Sequence, residues 1–223
     1  MWGQRMTPFV IVAVVLALIG IAIFLARHFD KKRTEALKAV ADALGFAFSA
    51  KGNEGLLGSL REMRLFSQGH GRKIKNAMSG FANGVGVTIF DYRYTVGSGK
   101  NSHTYAQTVA LFESDGLQAP AFALRPENLF HKIGSAFGYQ DIDFRDHPSF
   151  SKKYLLRGTD EASIRRMFTD ELLDHYERRD GLSAEGAGDR FVHYRSSKKV
   201  APEKIRSFFE EAYSVFAMLS AAT

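Results

Sequence analysis

Polar and apolar positions along this 223-residue chain follow three successive patterns. The first is an unbroken apolar run, Phe9–Ala26 (FVIVAVVLALIGIAIFLA), 18 residues without a charge. As a helix rising about 1.5 Å per residue it reaches roughly 27 Å, close to the thickness of a bilayer core. Pro8 stands where the first helical turn tolerates proline, because the missing NH has no intrahelical acceptor there. A secretory signal is the rival reading, but its apolar region stops at about 7–15 residues, and no small-x-small cleavage site follows before Arg27-His28. The run predicts an uncleaved transmembrane anchor, with residues 1–8 as a short tail.

After the anchor the period becomes helical. Leu37, Val40, Ala41 and Leu44 recur at i, i+3, i+4 and i+7, and Gly45 is a stop signal, so residues 27–45 form a juxtamembrane helix. Phe46–Phe48 starts a strand, Lys51–Ser59 is a glycine-bearing loop, and Leu56–Phe66 is a short helix. From Arg72 to Phe112 the period drops to two. Strands are predicted at Arg72–Gly80, Val85–Val96 and His103–Ser114, the last two joined by the hairpin loop Gly97–Ser102. In the middle strand Phe90, Tyr92, Tyr94 and Val96 share one face, which should cover a core, while Ile89, Asp91, Arg93 and Thr95 share the other. Further strands are read at Ala121–Arg125, Lys153–Arg157 and Arg190–Arg195, with a short helix over Glu127–Ile133 and Gly181–Gly188 as a polar link. Thr159 is the predicted N-cap of one bent or two short helices over Asp160–Glu177, and Pro202–Leu219 is a closing amphipathic helix. Strands come first and helices gather late. This order predicts an α+β fold, an antiparallel sheet with helices packed on one face, occupying residues 46–223 behind the transmembrane helix at 9–26. A pleckstrin-homology-like barrel is the alternative architecture.

Charge adds orientation. Arg5 alone precedes the span, whereas Arg27, Lys31, Lys32 and Arg33 follow it closely. Positive flanks stay in the cytoplasm, so the C-terminal domain is expected there, with those four residues at the membrane surface and in reach of anionic lipid. Beyond residue 26 the chain keeps 29 of its 30 Lys and Arg and all 24 Asp and Glu, a net +5. Cysteine is absent, which removes disulfides, thiol catalysis and cysteine-ligated metal from consideration.

Motifs carrying chemistry are few. The GSGK of Gly97–Lys100 fails the phosphate-loop pattern on both sides, since Tyr94 stands where the leading glycine belongs and Asn101 follows the lysine. Asp141, Asp143, Asp146 and His147 place three carboxylates and an imidazole within seven positions, a set that suits a hard divalent cation or an acid–base pair. Ile142 and Phe144 alternate with the acids as in an edge strand, and the glycine and terminal glutamate of a calcium loop are missing, so a solvated strand face is the simpler reading. No cofactor is expected. The basic pairs are scattered, which disfavours nucleic-acid binding.

The segments Ile89–Thr95, Tyr105–Val109, Phe122–Glu127 and Tyr154–Glu161 give the chain a resemblance to an uncharacterised family of bacterial proteins with one N-terminal transmembrane helix. The resemblance covers most of Arg33–Leu219 and implies a bacterial inner-membrane protein; it brings no catalytic residue. The expectation is a single-pass membrane protein whose cytoplasmic domain binds a protein partner or the membrane surface. The alternative is a membrane-tethered enzyme or small-ligand sensor with a polar site near Asp141–His147.

Overall fold

In the computed structural model, which describes residues 6–52, 54–127 and 141–222, the apolar run and the basic stretch after it form a single helix, α1 (Met6–Leu44). Nothing in the sequence interrupts it: Phe9–Leu44 holds no proline, and Gly20 is its only glycine. Gly45 ends it at φ +70°, and the Phe46 NH bonds back to the Ala41 carbonyl, a left-handed stop that glycine adopts without steric cost. The apolar part is fully exposed and long enough to cross a membrane, whereas Leu37 and Ala41 near the other end are buried in the domain.

Eight strands are described: β1 (Ala47–Ser49), β2 (His70–Ala82), β3 (Val85–Val96), β4 (His103–Glu113), β5 (Ala119–Pro126), β6 (Tyr154–Gly158), β7 (Ser183–Gly188) and β8 (Arg190–Tyr194). They form one sheet in the order β1-β2-β3-β4-β8-β7-β5-β6, with every neighbouring pair antiparallel. The sheet is open, with β1 and β6 at its edges, so the barrel alternative is set aside in favour of the α+β sheet. Asn83 (φ 51°) and Gly84 (φ 80°) close the two-residue turn between β2 and β3, whose twist matches that of the flanking strands.

Both faces of the sheet are covered. On the first lie the end of α1, α5 (Glu161–Met167), α6 (Asp170–Glu177) and α7 (Ile205–Ala221), around a core that includes Ile89, Phe112, Phe122, Leu156, Phe168 and Phe216. On the second, α2 (Glu54–Ser59) and α3 (Arg64–Ser67) close over a smaller aromatic core of Phe66, Phe90, Tyr92, Tyr94 and Tyr105. The stripe Phe90-Tyr92-Tyr94 therefore packs as its period-two pattern demands. On the opposite face Ile89 and Asp91 are buried too, which puts Asp91 beneath α1.

Three sequence expectations are corrected. Gly181–Gly188 is no link: its last six residues are β7, an interior strand between β5 and β8, and it fits because the small residue Gly186 leaves room for the Phe122 ring, 2.4 Å from where a Cβ would stand. The cap of α5 is Asp160 rather than Thr159, its carboxylate accepting from the Ser163 NH at 3.0 Å. The stretch Asp141–Phe144 is not a strand, although the Ile142 NH donates to the Leu156 carbonyl beside β6. The helix expected over Glu127–Ile133 lies outside the described residues beyond Glu127. Finally, Glu185 of β7 is a buried carboxylate, held by Arg125 (2.9 Å), the Tyr194 hydroxyl (3.1 Å) and the Leu65 NH (3.0 Å), so it ties β5, β8 and α3 together.

Candidate functional site

Two places gather the residues that the sequence singled out. The first is where α1 meets the sheet. A bulge in β2, between Lys75 and Met78, puts Asn76 in the left-handed region (φ 52°), a conformation asparagine tolerates better than most residues. The amide of Asn76 donates to Asp91 Oδ2 (3.0 Å), and its oxygen accepts from the Thr34 hydroxyl (2.9 Å). Arg33 grips the same carboxylate in a two-pronged contact, Nε to Oδ2 and Nη2 to Oδ1, each 2.8 Å. Its third nitrogen, Nη1, reaches the Val200 carbonyl (2.9 Å), while Thr108 donates to Asp91 Oδ1 at 3.0 Å. Burial would push the Asp91 carboxyl up, but the bonds and charge of Arg33 hold it below the usual carboxylate range.

The four basic residues expected at the membrane surface thus divide. Arg27, Lys31 and Lys32 are exposed, and Arg33 is turned into the domain. Arg33 lies only seven positions past Ala26, about 10 Å of helix. Along β2 the helix meets Asn76 at Thr34 and, one turn earlier, Lys75, which pairs with Asp30 at 3.3 Å. The next residues in that direction are Lys73 and its cross-strand partner Arg93, both exposed, and the nearby loop after β8 exposes Lys198 and Lys199.

The second place is the Asp141–His147 segment. Of its four side chains, those of Asp143, Asp146 and His147 line one depression, and that of Asp141 stands apart. Asp141 Oδ1 accepts from the Leu156 NH (2.9 Å), and burial, aided by the neighbouring charge of Asp143, raises its carboxyl above the usual range. Asp143 and Asp146 are exposed. His147 also faces α6: its Nδ1 lies 3.3 Å from Glu177 and 3.8 Å from Asp174, and its Nε2 lies 3.4 Å from Asp170. The ligand atoms of His147, Asp174 and Glu177 fall within 4.8 Å of one another, a spacing that a divalent cation could bridge. Glu177 already accepts from the Phe150 NH at 3.1 Å at the start of α4 (Pro148–Lys153), and Asp174 pairs with Arg178 at 2.7 Å. Next to the cluster is an open depression of about 430 Å³ between Asp143–His147, Arg165 and Asp170. The acids of α6, Asp170, Asp174 and Glu177, lie far downstream of His147 and face it only once α4 and α6 pack, so spacing alone could not reveal them.

No protein-family model and no curated protein sequence matches this chain. Among solved structures it is similar to the crystal structure of the mycobacterial trehalose monomycolate transport factor A, TtfA. The two share a TM-score of 0.61 at 12% identity, over 85% of this chain and 93% of that one. The likeness is one of fold: an open antiparallel sheet with helices, preceded here by a long apolar helix.

Proposed function

We propose that this chain is a single-pass inner-membrane protein whose α+β domain sits in the cytoplasm, pressed to the bilayer, and holds a protein partner there without catalysing a reaction. The observation that carries the reading is the unbroken α1 with its Arg33–Asp91 lock. An anchor of this kind is no flexible tether. It fixes height, because the lock lies about 10 Å past the apolar run, within the polar layer of a bilayer, and it fixes orientation, because a helix docked on a sheet cannot swivel. The exposed Arg27, Lys31 and Lys32, followed by Lys73, Arg93, Lys198 and Lys199, would then form a basic rim beside anionic headgroups. The fold likeness to a protein described as a transport factor agrees with a role in assembly or transport. Cleavage of the anchor as a signal would cut through the middle of α1, which favours retention.

A reporter fused to the C-terminus and active only in the periplasm should be silent. A photocrosslinker placed at Arg93 in native membranes should give one protein adduct of fixed mass, lost when Arg33→Ala frees the helix. Periplasmic activity would overturn the orientation, and adducts to lipid alone would replace the protein partner with the membrane surface. The enzyme or sensor reading keeps one specific observation, the depression beside His147 and its three acids. Calorimetry with Mn²⁺ or Zn²⁺ on the whole chain tests it, and heat that survives His147→Ala would remove it.

A further inference from the structure

Taking this domain as one that holds a protein partner, we propose that it does so by strand addition: an extended acidic segment of the partner pairs with the free edge of β4 at residues 103–107. β4 runs for 11 residues, and β3 pairs with all of them, from His103 to Glu113. β8 pairs only with the last five, Val109–Glu113. Residues 103–107 thus have a strand on one side and, among the described residues, none on the other. The outward groups follow from the alternation of the ladder. The Thr108 and Ser114 NH groups leave on the β8 side, to the Lys198 and Asp189 carbonyls at 3.1 and 2.9 Å. In an antiparallel strand the NH and C=O of one residue point to the same side, and successive residues alternate, so Thr104 and Ala106 turn both groups to this open side. Neither backbone meets a partner there among the described residues. An incoming chain therefore finds two donors and two acceptors already in register.

The terminal strands of the sheet are blunted. β1 has three residues, and on β6 the Ile142 NH and the Asp141 carboxylate engage Leu156. Charge that merely guards an edge stands on the strand itself. On this edge Thr104 and Ala106 are uncharged, and cations surround them instead. Arg93 is the cross-strand partner of Ala106 and shares its face, with Lys73 beside it on β2; Lys198 stands where β8 gives out, and Lys100 lies in the loop before His103. All four are exposed, and none forms an ion pair among the described residues. Only the Ala106 methyl separates the long Arg93 side chain from an added strand, so a carboxylate on that strand is within its reach. These charges select the occupant. A second copy of this chain would set Arg93 and Lys198 against their own like. A lipid phosphate accepts hydrogen bonds but donates none, and would leave the two outward carbonyls unmet. An extended polypeptide supplies both kinds of group, and Asp or Glu along it meets the cations.

The test uses the whole chain in detergent micelles and, as probe, a fluorescent ten-residue peptide of alternating threonine and glutamate. Anisotropy should show saturable binding, and amide exchange should slow at Thr104 and Ala106. An alternating threonine–lysine peptide should not bind. The glutamate peptide with two consecutive central amides N-methylated keeps its charge but cannot pair along either edge, and should bind about tenfold more weakly or worse. Ala106→Pro removes an outward NH that β3 does not use, a change that a strand edge tolerates, and should weaken binding by a similar factor. Lys198→Glu alters an exposed side chain only; it should weaken binding about fivefold, and it decides the matter if Ala106→Pro does not fold. Absence of saturable binding by the glutamate peptide, equal binding of its N-methylated form, or binding unchanged in both variants overturns strand addition. The Arg93 crosslink in native membranes reads the partner separately. A protein adduct there without peptide binding strikes strand addition alone, and adducts to lipid alone strike the partner as well.

Discussion

Removing the Arg33 side chain should cost far more than its position beside the membrane suggests. Asp91 is 6% exposed at its side chain and Arg33 17%, so both groups of the pair have left most of their water. In Arg33→Ala the carboxylate keeps two neutral donors, Asn76 and Thr108, and loses two charge-assisted bonds of 2.8 Å. Two such bonds at about 1.5–3 kcal/mol each, or the cost of stranding one partner of a buried pair, converge on about 3–5 kcal/mol. Lys199 also exerts a favourable charge on Asp91, which puts the expectation toward the lower end of that range. Asp91→Ala should cost less, about 2 kcal/mol, because the long arginine stem can swing its charge out to water or headgroups while the buried carboxylate has nowhere to go. Replacing both at once, Arg33→Met with Asp91→Leu, should recover most of the loss, since a packed apolar pair of similar volume carries no stranded charge. The measurement is urea unfolding of the whole chain in micelles, read by pulse proteolysis of the domain. Equal costs for the two single variants, or a cost below about 1 kcal/mol for Arg33→Ala, would show that the lock does not hold the helix in the way its geometry implies.

Other outcomes follow from the packing. Gly158→Ala should destabilise the domain by about 1–3 kcal/mol or more, because its Cβ would stand 2.4 Å from the Ala121 carbonyl oxygen, which belongs to a paired strand and cannot retreat. Gly84→Ala meets open space and suffers only from its positive φ, so about 1 kcal/mol is expected, and chemical denaturation of the two variants side by side checks the order. Stability should also fall on mild acidification. Burial, reinforced by Arg179, holds the His175 imidazole neutral down to about 4, and burial likewise lowers His193, which outweighs the upward pull of Glu211 at 3.0 Å. The unfolded chain takes up these protons near pH 6.5, so the stabilising contribution is complete above that value and is lost as pH falls from about 6.5 toward 4. Glu211 adds a loss only at lower pH: burial would raise its carboxyl, but bonds from His193 and Arg195 bring it down to about 2. Urea midpoints at pH 7.5, 6 and 5 should decline, less steeply in His175→Gln, and a flat profile contradicts the assignment.

How much of this was legible in the sequence depends on the range over which each feature is encoded. The anchor, the bounds of β3 and its aromatic stripe are local patterns, and period alone gives them. The turn at Asn83-Gly84 is local as well, a dipeptide signal between alternating runs. The strand β7 was not legible, because Ser183–Gly188 is made of small residues and one glutamate with no β-branched or aromatic member, and Phe122 packed against it helps make an interior strand of it. Arg33 reads as one more cation of a collar until Asp91, 58 positions later, is known to lie beneath it. The same holds for His147, whose partners on α6, Asp170, Asp174 and Glu177, lie far downstream in sequence.

These features bear jointly on how the long apolar helix can act on the domain. A helix ending in a loose linker transmits nothing but proximity. Here α1 contributes Leu37 and Ala41 to the first core and Arg33 to a buried ion pair, so a change in its tilt or depth must either move the sheet or break the lock. The weaker contacts lie toward the apolar run, where the exposed pair Asp30–Lys75 is worth little in water. The stronger ones lie further into the domain, and the helix therefore has one firm seat and an exposed apolar lever of about 27 Å, long enough to cross a bilayer. Close to the seat is the basic edge around Lys73 and Arg93. A partner gripping that edge would sense where the helix stands in the membrane, and would lose that information in Arg33→Ala even when the sheet itself stays folded.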